Sequence, residues 1–198
     1  MLNTRRLVSS LACIVRQNLG ERKPIPTLLK LENELYEEFM QCAPQLSDTK
    51  SGEDEWEWGA YFLMQHHGVP TRILDWSDGT LIALRFAVRE KPEPPTTGAF
   101  IYVLDPDSLA QHLRKLPERT EIESRWKEYS KSDPYHQYDD DWGRLYLPLD
   151  EDDEKNPLLA APKIPMLDDA PHINRRFAAQ RSRFMVFGSD PLWISDWA

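Results

Sequence analysis

Apolar residues recur every three or four positions in three separate stretches of the chain, and this spacing predicts amphipathic helices. The stretches are residues 5–19, 28–42 and 54–67. Thr27 directly precedes the second stretch, which makes it a candidate N-cap. We expect the second and third helices to cover one face of a sheet, because their apolar stripes need a surface to bury. The stripe of the first stretch consists of Leu7, Val8, Leu11, Ala12, Ile14 and Val15.

Three short runs of β-branched and aromatic residues predict strands. They are residues 73–74, 100–104 and 184–187, and the nearly continuous apolarity of 100–104 predicts that it is the central strand. Short strands satisfy their backbone groups by pairing, so we expect these three to lie side by side. The predicted fold class is therefore α+β (or α/β), a small mixed sheet covered by amphipathic helices.

The later part of the chain is polar. Asp107 or Ser108 is a candidate cap of a short helix that reaches Leu116. Residues 118–170 are rich in proline and contain acidic clusters, which predicts a long exposed loop excursion. We expect a single domain that spans residues 1–198, with this excursion as part of it.

Composition restricts the class of protein. The 198 residues include 40% hydrophobic residues and seven tryptophans, which is typical of a folded globular domain. A net charge of −9 disfavours broad binding to nucleic-acid backbones. We find no apolar run long enough for a membrane span and no signal peptide, so we predict a cytoplasmic protein. Cys13 and Cys42 have no metal-binding spacing and are expected to be free thiols.

The most informative stretch is Gln65–Ala87, in which polar residues interrupt a predicted helix, loop, strand and second helix. His66 and His67 are neighbours on a helix and point about 100° apart, so we predict no metal site here. Thr71 and Arg72 offer a hydroxyl and a planar guanidinium suited to phosphate or carboxylate. The chain has neither a nucleophile elbow nor a glycine-rich phosphate loop.

This stretch resembles the FRG domain, a bacterial and phage-associated family with a Gln-His-x-Gly-x-Pro-Thr-Arg-x-x-Asp-Trp run and an Ala-Leu-x-Phe-Ala helix. A later Asn174-Arg175, then Gln180 before an aromatic strand, extends the resemblance to about residue 188. The Phe-Arg-Gly tripeptide of the family does not precede residues 7–11, so either the chain starts after it or the protein has lost this arginine. The matching positions are Gln65, His66, Gly68, Pro70, Thr71, Arg72, Leu74, Asp75, Trp76, Ala83, Leu84, Phe86 and Ala87.

The FRG layout is similar to that of ADP-ribosyltransferases, and this resemblance implies NAD as a substrate and a protein or RNA acceptor. It implies that Arg72 holds phosphate, Asp75 fixes the loop and Gln180 orients the ribose or acceptor. The implied cleft lies between residues 71–76 and residues 175–184. A toxin or phage-defence effector, held by an inhibitory partner protein, is the biological role that fits. The implied NAD-binding residues are His66, Thr71, Arg72, Trp76 and Arg175.

Two alternatives remain open. The first is a binding module that recognises a peptide, nucleotide or nucleic acid through the His66–Trp76 surface without turnover, because exposed tryptophan and arginine are good anchors for recognition. The second is that the central stretch only stabilises the fold. Asp75 illustrates the choice, since an aspartate in this position is either a ligand of the cleft or a residue that caps local structure.

Overall fold

The computed structural model describes residues 25–42, 53–89, 101–132, 141–149, 153–168, 182–190 and 193. The predicted helix at 5–19 and the residues Arg175 and Gln180 lie outside the described residues. The described helices are α1 Ile25–Cys42, α2 Glu53–His66, α3 Thr80–Arg89, α4 Pro106–Lys115 and α5 Pro117–Ser132. The described strands are β1 Ile73–Ser77, β2 Met166–Asp168 and β3 Ser182–Val186, and short 3-10 turns cover Trp142–Tyr146, Asp153–Lys155 and Pro157–Leu159.

The three strands form one sheet in the order β1-β3-β2. Both pairings are antiparallel, so the sheet is not mixed as predicted, although the α+β class is confirmed. Ile73 pairs with Val186, and Met166 pairs with the same residue from the other side. The predicted pairing of residues 73–74 with 184–187 is therefore confirmed, and β3 is the central strand.

The prediction of a strand at residues 100–104 is wrong for the described residues 101–104, which have no regular secondary structure. Ile101 and Val103 are exposed, and Val103 keeps 93% of its accessible surface. The third strand is instead β2, which comes from the segment predicted to be a loop. Apolar composition made 101–104 resemble a central strand, but β3 already has β1 and β2 on its two edges.

The sheet separates two hydrophobic cores, because successive side chains of a strand point to opposite faces. Ile73 and Phe184 face the core that contains Tyr61 and Phe62 of α2, together with Phe39 of α1. This arrangement confirms that α1 and α2 cover one face. The opposite core is formed by Leu74, Met185 and Phe187 of the sheet and by Leu109, Leu113, Ile122 and Trp126 of α4 and α5.

The described residues within 118–170 do not form the exposed excursion that their composition predicted. Most of α5 falls in this range, and Ile122 and Trp126 are buried at a spacing of four residues. Tyr146 and Leu159 are also buried. Two or three buried apolar residues at helical spacing are enough to pack a helix whose other residues are charged. The average composition of the segment does not show such a small number of apolar residues.

Both predicted helix caps are wrong by a few residues. α1 begins at Ile25, so Thr27 lies inside it. The cap of α4 is Asp105, whose carboxylate accepts hydrogen bonds from the backbone N–H of Asp107 and Ser108. Proline is well tolerated in the first turn of a helix, and each of these two helices has a proline in its first turn, Pro26 in α1 and Pro106 in α4. None of the described helices combines the length and apolarity needed to cross a membrane.

Candidate functional site

The loop between α2 and β1 is shaped by Gly68, whose φ of 79° favours glycine. The N–H of Gly68 donates to the carbonyl of Gln65 at 3.1 Å, and the N–H of Val69 donates to that of Met64 at 3.0 Å. These bonds close the last turn of α2 and redirect the chain towards β1. The motif therefore has glycine at position 68 because the turn requires a positive φ there.

Thr71 is fully buried directly after this turn. Its hydroxyl donates to Oε1 of Gln65 at 2.7 Å and accepts from the backbone N–H of Ile73 at 3.3 Å. The side chain thus ties the end of α2 to the start of β1. Its hydroxyl is engaged inside the protein and does not face an open cleft.

Arg72 is also buried, with 3% of its surface exposed. Its Nε forms an ion pair with the carboxylate of Glu32 in α1, and its backbone N–H donates to Oε1 of the same residue at 2.6 Å. Nη2 donates to the carbonyl of Tyr146 at 2.9 Å, and Nη1 donates to that of Phe187 at 3.4 Å. A single guanidinium therefore connects α1, the 3-10 turn at Trp142–Tyr146 and the end of β3.

The charges of this network compensate one another. Burial is the largest single effect on Arg72 and disfavours the charged guanidinium. The charge of Glu32, the nearby Tyr61 and the hydrogen bonds to both together outweigh burial, so the pKa of Arg72 is raised. The hydroxyl of Tyr61 donates to Oε1 of Glu32 at 2.6 Å. Burial, followed by the nearby charge of Glu32, raises the pKa of Tyr61 well above its usual value. The carboxylate of Glu32 thus has one cation and two hydrogen-bond donors as partners inside the protein.

This geometry gives Thr71 and Arg72 partners inside the protein. Contact of Arg72 with a phosphate would require the guanidinium to leave a buried carboxylate, which is energetically costly. The arrangement favours the interpretation that these two motif residues stabilise the fold. Glu32, despite its charge, is completely buried.

A helical wheel would have identified Glu32. It lies four residues after Leu28 and three before Leu35, and therefore falls inside the apolar stripe of α1. A charged residue inside such a stripe needs a buried partner of opposite charge. The motif arginine is that partner.

Asp75 and Trp76 are separated by the alternation of β1. Asp75 is exposed and lies opposite Phe184, on the face covered by α1 and α2. Trp76 is half-buried and packs against the other core. Its indole Nε1 is buried without a hydrogen-bond partner in the part of the chain that the structure describes. The two side chains therefore lie on opposite faces of β1.

The polar end of the sheet lies where β1 ends and β3 begins. Asp78 accepts two hydrogen bonds from Nε of Arg183, at 2.9 and 3.2 Å, and both side chains are about half-exposed. Ser77 pairs with Ser182, and Gln180 precedes Ser182 by two positions in the sequence. Asp78 carried no signal in the sequence, because only strand pairing brings it to Arg183.

The two histidines lie at the other end of β1. His66 is half-exposed and His67 is exposed, with their ring centroids 5.3 Å apart. The ring of His67 lies 6.3 Å from that of Phe39. Over the described residues, no group of three His, Cys, Asp or Glu side chains is placed to hold a metal ion.

Comparison with known proteins yields a match to a family model and no individual relative. Neither a curated protein nor a solved structure matches the chain. The family model of the FRG domain matches residues 3–95, a range that contains α1, α2, β1 and α3. The predicted resemblance to the FRG domain is therefore confirmed over residues 3–95.

Proposed function

We propose that the protein transfers ADP-ribose from NAD to a macromolecular acceptor. The observation that carries the proposal is the pairing of β1 with β3. It places the exposed Asp75 beside Phe184, on the strand that begins two residues after Gln180. The pairing therefore brings Asp75 next to β3, the strand that Gln180 precedes in the sequence.

The chemistry needs few protein groups. The bond between C1′ of the ribose and the nicotinamide nitrogen breaks, and nicotinamide leaves with the bonding electron pair. A nucleophilic oxygen or nitrogen of the acceptor then bonds to C1′ and loses its proton. Positive charge builds on the ribose as nicotinamide departs, and a nearby carboxylate stabilises it. Asp75 is the carboxylate assigned to this role, and Gln180 orients the ribose or the acceptor.

The phosphates of NAD require cationic or N–H donors. Thr71 and Arg72 are engaged inside the protein, so we assign phosphate binding to the arginines that precede or begin β3, among them Arg175 and Arg183. Arg183 is half-exposed at the polar end of the sheet. His66 and Trp76 remain contacts implied by the resemblance alone. A toxin or phage-defence role in the cytoplasm, controlled by an inhibitory partner protein, is part of the same proposal.

The experiment measures NAD binding by calorimetry and nicotinamide release by chromatography, with cell extract, protein and RNA as acceptors. We expect Asp75→Asn and Gln180→Ala to lower nicotinamide release at least about tenfold, in line with the loss of one transition-state contact. Asp107→Asn, which changes an exposed aspartate on α4, is the matched control and should keep full activity.

The chain and a longer form that carries any upstream Phe-Arg-Gly are both assayed. If neither binds NAD or releases nicotinamide, the transfer proposal is wrong. If Asp75→Asn and Gln180→Ala both keep full activity, the protein is a transferase whose site does not depend on these two residues.

The second candidate function is a binding module without turnover. The observation that favours it is the burial of Thr71 and Arg72, since two of the residues expected to hold NAD are engaged in folding. His67 and Asp75 remain exposed on the His66–Trp76 surface. Binding of a peptide, nucleotide or oligonucleotide that Asp75→Asn weakens, with no nicotinamide release, would select this function.

A further inference from the structure

The exposed large apolar side chains of the described residues are confined to two short elements. They are Leu81, Leu84, Phe86 and Val88 of α3, and Ile101 and Val103 of the irregular segment 101–104. Among the described residues, the other helices and the strands have none. Apolar surface that is concentrated in this way and open to water usually marks a contact with another molecule.

One side of α3 combines apolar side chains with a positive charge. Leu81, Leu84, Arg85 and Val88 are all exposed, and their spacing places them within about 100° of one another around the helix axis. Leu81 keeps 80% of its accessible surface, and Val88 keeps 64%. Phe86 lies on another side of the helix and is not part of this surface. The sequence of α3 contains no acid, so this surface, the α3 face, is apolar and cationic.

The segment that leads into α4 carries the opposite charge beside similar apolar side chains. Exposed and half-buried residues alternate along it, as they do in an extended chain with one open side. Ile101, Val103 and Asp105 therefore share the open side, and Val103 keeps 93% of its accessible surface. Asp107, in the first turn of α4, is also exposed. These four residues form the 101–107 face, which is apolar and anionic.

The two faces complement each other in both polarity and charge. A chain that carries both halves of such a match is complementary to its own copy. A two-fold axis brings each face of one copy against the other face of the second copy, so the same contact forms twice. We propose that two copies of this protein form a two-fold symmetric dimer in which the α3 face of each copy packs on the 101–107 face of the other. The inference goes beyond the proposed transfer of ADP-ribose and does not depend on it.

Burial of apolar surface stabilises this contact, and the charges set its orientation. Leu81, Val88 and Val103 have the most exposed surface to remove from water. Loss of one charge from a solvated pair changes little, but reversal of that charge places like charges opposite each other across the interface. The net charge of −9 on each copy opposes association. The measurements therefore use an ionic strength of about 0.15 M, where charges more than about 8 Å apart are largely screened.

The first test measures the molar mass of the full chain by sedimentation equilibrium. Between about 1 µM and about 1 mM, the concentrations at which contacts of modest affinity saturate, we expect a shift from monomer to dimer. Leu81→Asp and Val103→Asp should each raise the dissociation constant at least about tenfold, as the loss of an apolar anchor does. Thr120→Asp adds the same charge to an exposed position of α5 and is the matched control, with an unchanged dissociation constant.

The second test reverses charges to show which faces meet. Arg85→Asp and Asp107→Arg should each weaken the dimer at least about tenfold, because each homodimer then opposes like charges at both contacts. An equimolar mixture of the two variants should recover the affinity of the parent, since both contacts of the mixed dimer join opposite charges. Asp107 is used in place of Asp105 because Asp105 caps α4. Circular dichroism of each variant confirms that it is folded.

Three results would overturn the proposal. A parent protein that stays monomeric up to about 1 mM would assign the two faces to a different partner or to another part of the same chain. A dimer that Leu81→Asp and Val103→Asp leave unchanged would place the interface elsewhere. Charge-reversal variants that remain weak when they are mixed would mean that the α3 face does not meet the 101–107 face of a second copy.

Discussion

Glu32 and Arg72, forty positions apart, form an ion pair in which the side chains are 0% and 4% exposed. Glu32 lies on α1 and Arg72 lies immediately before β1, so the pair joins the helical layer to the sheet. Arg72 also binds two backbone carbonyls, and Glu32 also accepts from Tyr61. A buried pair with its remaining hydrogen bonds satisfied is a positional constraint on the fold.

Arg72→Ala should destabilise the protein by about 3–5 kcal/mol, because it leaves the carboxylate of Glu32 buried without its cation. Denaturant unfolding followed by circular dichroism measures this loss. Arg85→Ala removes an exposed arginine and is the control, with an expected change below about 0.5 kcal/mol. The double variant Glu32→Leu/Arg72→Met should be less destabilised than Arg72→Ala, since no unpaired charge remains.

If Arg72→Ala is as stable as the parent protein, the Glu32–Arg72 pair is not buried in solution. If Arg72→Ala is destabilised as expected, a loss of activity in this variant would be caused by unfolding and would not show a catalytic role for Arg72. Asp75 is the better probe of chemistry, because it is exposed and its neutralisation leaves the core intact.

Gly188→Ala should cost at least about 3 kcal/mol, beyond the usual penalty for overpacking. A Cβ at this position would lie 1.8 Å from the backbone oxygen of Pro162, which cannot rotate away. The same oxygen accepts a hydrogen bond from the N–H of Ser189 at 2.6 Å. Thermal and denaturant unfolding both report the loss.

Gly68→Ala is the comparison for this prediction. A Cβ on Gly68 would meet nothing within 4 Å, so only its positive φ opposes the change. We expect a cost of about 1–2 kcal/mol from the left-handed conformation. A larger loss at Gly68 than at Gly188 would contradict the close approach of Gly188 to Pro162.

Stability should fall steeply above about pH 10, the usual pKa of tyrosine. Burial raises the pKa of Tyr36, Tyr61 and Tyr146, so the folded state keeps protons that the unfolded chain releases. The contribution of these groups is fully present below about pH 10 and is lost as pH rises towards the folded pKa values, at about 1.4 kcal/mol per pH unit for each tyrosine.

Unfolding free energies measured between pH 8 and 11 test this prediction. Tyr61→Phe removes one of the three groups, so the slope above pH 10 should decrease by the equivalent of one proton. An unchanged slope would mean that Tyr61 ionises normally in the folded protein.

Asp78→Asn should change the free energy of unfolding by less than about 1 kcal/mol, because an exposed ion pair contributes little. Both side chains of the Asp78–Arg183 pair are more than 40% exposed, at 43% and 45%. The difference between parent and variant should shrink further in 1 M NaCl, where charges are screened over about 3 Å. A loss above about 2 kcal/mol would indicate that this pair is desolvated in solution, which the prediction excludes.

Local patterns in the sequence predicted much of the fold. The periodicity of residues 28–42 and 54–67 predicted α1 and α2, and the polar interruption after His66 predicted the loop, strand and helix that follow. Residues 73–74 and 184–187 were recognised as strands that pair. Each of these features depends on interactions between near neighbours, which a sequence pattern records directly.

The surroundings of two motif residues could not be predicted from the sequence. Thr71 and Arg72 stand out in the sequence, yet their surroundings were set by Glu32 and Gln65. An arginine suited to phosphate is equally suited to carboxylate, because its planar group matches both. Only the tertiary structure shows which of the two is present.

By itself the sequence determined the local elements and the FRG resemblance, which the family model matches over residues 3–95. The tertiary structure decided that β2 completes the sheet in place of residues 101–104, and that Glu32 points inward to meet Arg72. These outcomes depend on pairing between residues far apart in the chain. Propensity does not encode such pairing, because its free energy comes from burial and charge compensation that exist only once the chain has folded.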